Sequence, residues 1–398
     1  MAKRPTKPAT KTKAPREVEA KPLRRAAAVP PVRPIRLDEV IGQERAVSTL
    51  RAAIQSRRIH HAWVFHGPPG TGKFTTALAF AAVILDPTAA PDLSGRIEPD
   101  PDSPTQRMVA AGTHPDLHIV VKELAAVSRE ASVRDSKQRN IAKAVLEEFL
   151  LEPAARTAAV PAGALASKVF IVDEAELIDA VGQNALLKTL EEPAPGSVII
   201  LVTASEERLL PTIRSRCQRV AFVPLPPEGM LRWMKTQGVD LSGLDAASRD
   251  WLLAFAAGSP GLAKLALDTG LVEWHRTLAP MLAEVDKGRY PVEMGATMAK
   301  LVDDWAAAWV DGPGGKNASK DAANKAAARQ MFRLVTEHYR SRLRQAAARG
   351  EGEAALNRAL GAIDLVGQAE RQAEASVNAV FVMDNLVAQL AGLAGSGA

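Results

Sequence analysis

A glycine loop, a lysine and a pair of carboxylates are the residues of this sequence best equipped to handle phosphate. From His66 the chain reads HGPPGTGKFTTA, and Gly67 to Lys73 fits the pattern G-x-x-x-x-G-K. Glycine at 67, 70 and 72 lets the backbone turn its N–H groups inward, and the helix that follows adds the positive end of its dipole. Both attract phosphate. The expected cradle for a nucleotide is Gly67, Gly70, Thr71 and Gly72, with Lys73 against the β and γ phosphates. The pattern then calls for Ser or Thr, whose hydroxyl ligates Mg²⁺. This chain has Phe74 instead. Thr75 and Thr76 point about 100° and 200° further round a helix, so either replaces the hydroxyl only after a backbone shift. Hydrolysis at this loop is therefore expected to be weakened or absent, and binding of ATP with Mg²⁺ is left open.

A hundred residues later, KVFIVDEAELI is an apolar run that ends in two carboxylates. Asp173 is positioned to hold Mg²⁺ through water and Glu174 to polarise an attacking water, a Walker B arrangement. Strand-end acids also serve as helix caps, but the glycine loop upstream favours the catalytic reading. The stretch LLPTIRSRCQRVAF brings Arg214 and Arg216 to a polar turn expected after the last strand. An arginine presented to a neighbour's γ-phosphate stabilises transition-state charge. By spacing alone, a surface arginine paired with Asp or Glu is the simpler account.

The elements that must hold these groups are legible as an alternating pattern. LDEVIGQERAVSTLRAAIQSRRI reads as a turn and an amphipathic helix, HAWVF as a buried strand and FTTALAFAAVIL as a helix. LHIVV (117–121), KVFIV and SVIILVTAS (197–205) are further strands, with helices in QRNIAKAVLEEFLLEP and VGQNALLKTLEEP between them. Near-continuous apolar strands alternating with helices imply α/β architecture, a parallel sheet covered on both faces. Residues 86–116, rich in Pro, Asp and Gly, read as a long irregular insertion. From about residue 226 strand signals stop, and almost everything to 395 reads as helix apart from the loop DGPGGKNASK (311–320). The expected division is a tail at 1–36, an α/β nucleotide-binding domain at 37–226, a small helical domain at 227–272 and a helical bundle at 273–398.

Composition narrows the class. Of the 398 residues 47% are hydrophobic, enough to fill two or three cores. No apolar run approaches the roughly 20 residues that span a bilayer, so a cytoplasmic protein without membrane contact is expected. The single cysteine, Cys217, excludes an internal disulfide and a cysteine-cluster zinc site, and no zinc is expected. The net charge of +5 is unevenly spread: residues 1–36 carry 11 Lys/Arg against 2 Asp/Glu, so the remainder is slightly acidic. With seven prolines and little to bury, that tail is expected to be disordered, as a solvated segment or a non-specific contact for nucleic acid.

Taken together, VIGQERAVSTLRAAI, HHAWVFHGPPGTGK, HPDLHIV, FIVDEAELIDAVGQNALLKTLEEP and LLPTIRSRCQRVAF resemble the bacterial clamp-loader subunits of the AAA+ class. The resemblance covers residues 37–270 strongly and the C-terminal bundle weakly, chiefly in VNAVFVMDNLVAQL. It implies an AAA+ domain, a helical lid and a collar through which five subunits form an open ring. Such a ring uses ATP to open a sliding clamp and place it on primed DNA, which it contacts through phosphates. The resemblance assigns Arg216, between Ser215 and Cys217, to ATP bound by the neighbouring subunit, and Thr203 to a polar position sensing the γ-phosphate. The family's catalytic subunits carry Ser or Thr at position 74 and a lid arginine near GSPG (258–261), where this chain offers Gly261 and then Lys264. Related proteins often carry a four-cysteine zinc module; residues 86–112 contain no cysteine. The implied role is a stator acting in trans. The intact Asp173–Glu174 pair keeps an active motor ATPase as the alternative; a phosphoryl-transfer kinase and a protein binding DNA through its tail are more remote ones.

Overall fold

A computed structural model describes residues 35–92, 95–134, 140–159, 163–239, 241–311, 320–375 and 378–395. The tail over 1–34 and most of the loop expected at 311–320 lie outside the described residues. Ile35 packs partly into the first core, and Arg36 pairs with Asp38 at 3.1 Å.

The strands are β1 (Ala62–His66), β2 (Ala90–Pro91), β3 (Ile97–Glu98), β4 (Leu117–Val120), β5 (Lys168–Val172), β6 (Ser197–Thr203) and β7 (Gln218–Ala221). Five of them form one parallel sheet in the order β4-β5-β6-β1-β7. Side chains alternate across a strand, and the apolar runs divide accordingly. Trp63, Phe65, Val169, Ile171, Ile200 and Val202 face a core shared with helices Glu44–Gln55 and Lys73–Ile84. Ala62, Val64, Phe170, Val172, Ile199 and Leu201 face a second core, closed by residues 141–154 and the helix Ala180–Glu191. Two apolar faces explain why these strands read as unbroken hydrophobic runs.

Two sequence expectations need correction. The turn bearing Arg214 and Arg216 does not follow the last strand: it precedes β7, an edge strand in which Val220 alone is buried. Residues 86–116 are not irregular. They contain the β2–β3 hairpin and the helix Pro104–Ala110. Asp86 organises this region, accepting from the Thr88 N–H and hydroxyl at 2.9 and 2.7 Å, the Ser103 hydroxyl at 2.5 Å and the Gln106 amide at 2.9 Å. Burial raises the pKa of Asp86, but these donors outweigh it and hold the carboxyl below its ordinary value.

Beyond β7 come helices Pro227–Thr236, Ala246–Ala256, Pro260–Asp268, Leu271–Val285, Met294–Asp311, Lys320–Arg349, Glu353–Glu374 and Ala379–Gly395. A single core runs through them from Leu225 to Ala391. Arg333 stands 5.6 Å over the Phe255 ring, joining helix 246–256 to helix 320–349. No helix among the described residues is long and apolar enough to cross a membrane.

Candidate nucleotide site

The glycine loop links β1 to helix 73–84, and its three glycines have positive φ: 140° at Gly67, 73° at Gly70 and 91° at Gly72. A Cβ at Gly67 would lie 2.1 Å from the Phe222 carbonyl oxygen, so the residue is fixed by close backbone approach. Gly72 caps the helix with open space where its Cβ would be. Lys73, 6% exposed, folds back so that Nζ donates to the Gly67 and Pro68 carbonyls at 2.7 and 2.6 Å. Burial depresses its amine to about 8, against the pull of Glu176 and Asp173.

Two of the three threonines are occupied locally. Thr71 donates to the Pro68 carbonyl at 2.9 Å and Thr76 to the Gly72 carbonyl at 2.8 Å; Thr75 is half-buried. Phe74 packs partly into the core beneath helix 44–55, so the position that would present a hydroxyl to a cation contributes to packing instead.

Asp173 leaves β5 with its N–H on the Val120 carbonyl at 3.0 Å. Burial pushes its carboxyl up to about 6, with Glu174 and Glu176 adding repulsion. Glu174 follows at φ 50°, a left-handed conformation unusual for a residue with a side chain. That turn sends its carboxylate to Lys122, 2.5 Å away at the end of the neighbouring strand. Perturbed groups of this kind cluster at functional sites and also in structural ion-pair networks.

Thr203 is buried beside His66 in the β1–β6 register, and its hydroxyl accepts from the Ser205 N–H at 3.0 Å. Three site residues were not identified from the sequence. Lys122 holds Glu174. Glu176 accepts from the Ala204 N–H at 3.2 Å and keeps its second oxygen buried with no hydrogen-bond partner among the described residues. Gln43, 3% exposed, donates to the carbonyls of Thr71 and Val223 at 3.3 and 2.7 Å. Gln43 and Glu176 stand in motifs already singled out; nothing local marked Lys122.

Arg216 belongs to a different place. Gln218 is level with Trp63, four residues before Gly67, so about 13 Å of strand separates them before the step back to Arg216 is counted. Arg216 thus lies toward the end of the sheet opposite the loop. Its guanidinium pairs with Glu191 at 2.7 Å and donates to the Thr212 carbonyl at 2.9 Å. Arg214 is half-buried, with Nε lacking a hydrogen-bond partner among the described residues. Lys264 pairs with Asp268 at 3.0 Å. Among the described residues no group of three or more His, Cys, Asp or Glu is arranged to hold a metal ion.

A glycine loop after β1, an acidic pair after β5 in the adjacent-but-one strand and a five-stranded parallel sheet with a helical C-terminal half define an AAA+ P-loop protein. Residues 42–226 match the family described as DNA polymerase III, delta subunit. The chain is 31% identical over 188 residues to the DNA polymerase III subunit delta' of Bacillus subtilis, covering 47% of this chain and 50% of that one. It is 33% identical over 202 residues to the delta' subunit of Pseudomonas aeruginosa, covering 50% and 53%. It is also 31% identical over 284 residues to the gamma/tau subunit of Mycobacterium tuberculosis, covering 68% and 42%. Over these stretches the chain is similar to DNA polymerase III clamp-loader subunits. It spans about half the length of these relatives.

Proposed function

We propose that the chain is a delta'-type stator of the clamp loader, supplying Arg216 to ATP bound by a neighbouring subunit while its own loop turns over little or nothing. The observation that carries this reading is the position of Arg216. It lies too far along the sheet to serve its own loop, yet it is partly exposed on a short turn where a second subunit can meet it. A guanidinium delivered there neutralises charge that develops on the γ-phosphate in the transition state. Phe74, drawn into the core, supports the companion claim of a weak site with ATP and Mg²⁺.

In this reading residues 37–226 are the nucleotide-binding domain, 227–272 the lid and 273–398 the collar that joins a five-membered ring in the cytoplasm. The ring loads a sliding clamp on primed DNA. DNA is held through phosphates, and binding weakens with salt without regard to sequence. The intact Asp173–Glu174 pair favours a second reading, a hydrolysing motor. The two separate on ATP turnover of the purified chain with Mg²⁺, alone and then mixed with a gamma/tau subunit. A stator is silent alone and raises the partner's rate through Arg216; appreciable turnover alone, abolished by Lys73→Ala, identifies a motor.

A further inference from the structure

A cavity of about 320 Å³ opens beside the edge strand β4, at the end of the sheet opposite the phosphate loop. Its walls come from the start of β4, from Lys168 at the start of β5 and from the segment between Arg129 and Ala159. Lys168 opens the strand that ends just before Asp173, so about 16 Å of extended chain separates the cavity from the acidic pair. Pro115, His118, Phe149 and Pro153 supply its flat and apolar surfaces. The His118 ring is itself stacked on Phe170, with centroids 4.7 Å apart and planes 9° from parallel.

The buried charged groups around this cavity are occupied, with one exception. Lys168, 4% exposed, donates Nζ to the Pro153 carbonyl at 2.6 Å and to the Arg156 carbonyl. Both Asp116 carboxylate oxygens accept from the Ala159 N–H at 3.0 Å. Glu148, 8% exposed, uses Oε2 to accept from the Ser128 hydroxyl at 3.2 Å and the Arg129 N–H at 2.9 Å. Its Oε1 is buried with no hydrogen-bond partner among the described residues; the Arg129 Nε stands 3.4 Å away as a neighbouring charge. At the rim, Arg129 and Arg156 are exposed and share one carboxylate, that of Glu152, at 3.2 and 3.6 Å.

A buried acceptor without a donor is costly, and a ligand that brings the donor removes the cost. That donor must be neutral, because Lys168 and Arg129 already surround the cavity and would repel an ammonium group. The lining holds three cations, Arg129, Arg156 and Lys168, against two carboxylates, Asp116 and Glu148. The outer end of the ligand is therefore anionic, and the two rim arginines are placed to take it. Their exposed pairs with Glu152 are weak enough to be exchanged for a phosphate. A neutral donor on a flat ring with an anion beyond it is the layout of a nucleotide. We propose that this cavity is a second nucleotide site, base inward with an amino or ring N–H donating to Glu148 Oε1, and phosphate outward on Arg129 and Arg156. Its volume lies at the lower end of the range for small-molecule sites, about 300–1,000 Å³. The nucleotide is either free or one unit of a single strand, whose unpaired base offers the same edge. The site is separate from the phosphate loop and stands whether or not Arg216 serves a neighbour.

The test is equilibrium dialysis of the full chain against dAMP, dCMP and dGMP, their nucleosides, inorganic phosphate and a short oligo(dC). Three variants are compared: Glu148→Gln, which sets an amide donor against the incoming base; Arg156→Gln, on an exposed side chain that folding does not need; and Lys73→Ala, which reports on the phosphate loop. The monophosphates are expected to bind, with inorganic phosphate at least about tenfold weaker. Arg156→Gln should weaken the monophosphates by about fivefold and leave the nucleosides unchanged, whereas Glu148→Gln should weaken both by about tenfold or more. Lys73→Ala should change neither. Oligo(dC) binding with the same two sensitivities makes single-stranded DNA the source of the ligand, and monophosphate binding without it makes free nucleotide the source; both outcomes support the site. The proposal is overturned if no monophosphate binds at on the order of 10 mM, or if inorganic phosphate binds as well as they do. It is equally overturned if Arg156→Gln leaves monophosphate binding intact, or if Lys73→Ala is the substitution that removes it.

Discussion

Under the proposed stator role, the pairing of Arg216 with Glu191 makes a quantitative prediction about how freely that arginine could turn to a neighbour. The contact is 2.7 Å long, but its side chains are 36% and 50% exposed. Exposed pairs of this kind contribute about 0.2–1 kcal/mol, so Glu191 holds Arg216 aside by a factor of about 1.4 to 5 at most. Glu191→Gln removes the charge and keeps the shape. Its melting temperature should stay within about 4 °C of wild type, since 1 kcal/mol is worth about 2–4 °C in a domain of this size. In a reconstituted clamp loader, ATP turnover should be unchanged or raised by up to about fivefold. Arg216→Ala should instead lower turnover at the site it serves by about 10³-fold or more, the usual range for such an arginine. A Glu191→Gln loader as slow as Arg216→Ala would refute the reasoning, because Glu191 would then be holding Arg216 in its working position.

Three further outcomes follow from the site. Phe74→Ala should lose about 2 kcal/mol, half of what a fully buried phenylalanine costs, visible as a melting point about 4–8 °C lower with no gain in turnover. Asp173, pushed up to about 6 from 3.8, binds more protons folded than unfolded between those values. Its penalty therefore grows as pH rises through that window. Asp173→Asn should stabilise the chain at pH 7.5 by about 1–2 kcal/mol, and thermal melts should show the gain fading below about pH 4. Asp86→Asn puts an amide donor where Ser103 and Gln106 already donate, so it should cost about 1–3 kcal/mol, and hydrogen exchange should rise first across residues 86–112.

The sheet was legible because four of its strands are buried on both faces, and two-faced burial writes an apolar run that needs no partner to be read. β7 was not, because an edge strand with one buried residue has no such signature; the cysteine and arginines before it drew the eye to a turn instead. The β2–β3 hairpin and helix 104–110 were hidden for another reason. They are held by Asp86 across as many as 20 residues, and polar bonds of that span leave no periodicity. At the site, the glycines, Lys73 and the acidic pair could be read from spacing, since the chain turns directly through them. Lys122 reaches the same place through strand order, which no local pattern encodes; Glu176 and Ser259 stand in stretches the sequence does single out, but their contacts, with Ala204 and Pro69, come from the fold. Phe74 shows both sides: its identity announced a missing hydroxyl, and its packing shows what the position does instead.

The central claim is that the catalytic contribution of this chain lies in Arg216 and not in its own phosphate loop. The most direct measurement is ATP turnover by a clamp loader assembled with sliding clamp and primed DNA, comparing Arg216→Ala with Lys73→Ala. The account predicts collapse with Arg216→Ala and little change with Lys73→Ala. If Lys73→Ala is the damaging substitution and Arg216→Ala is tolerated, the loop is a working motor despite Phe74.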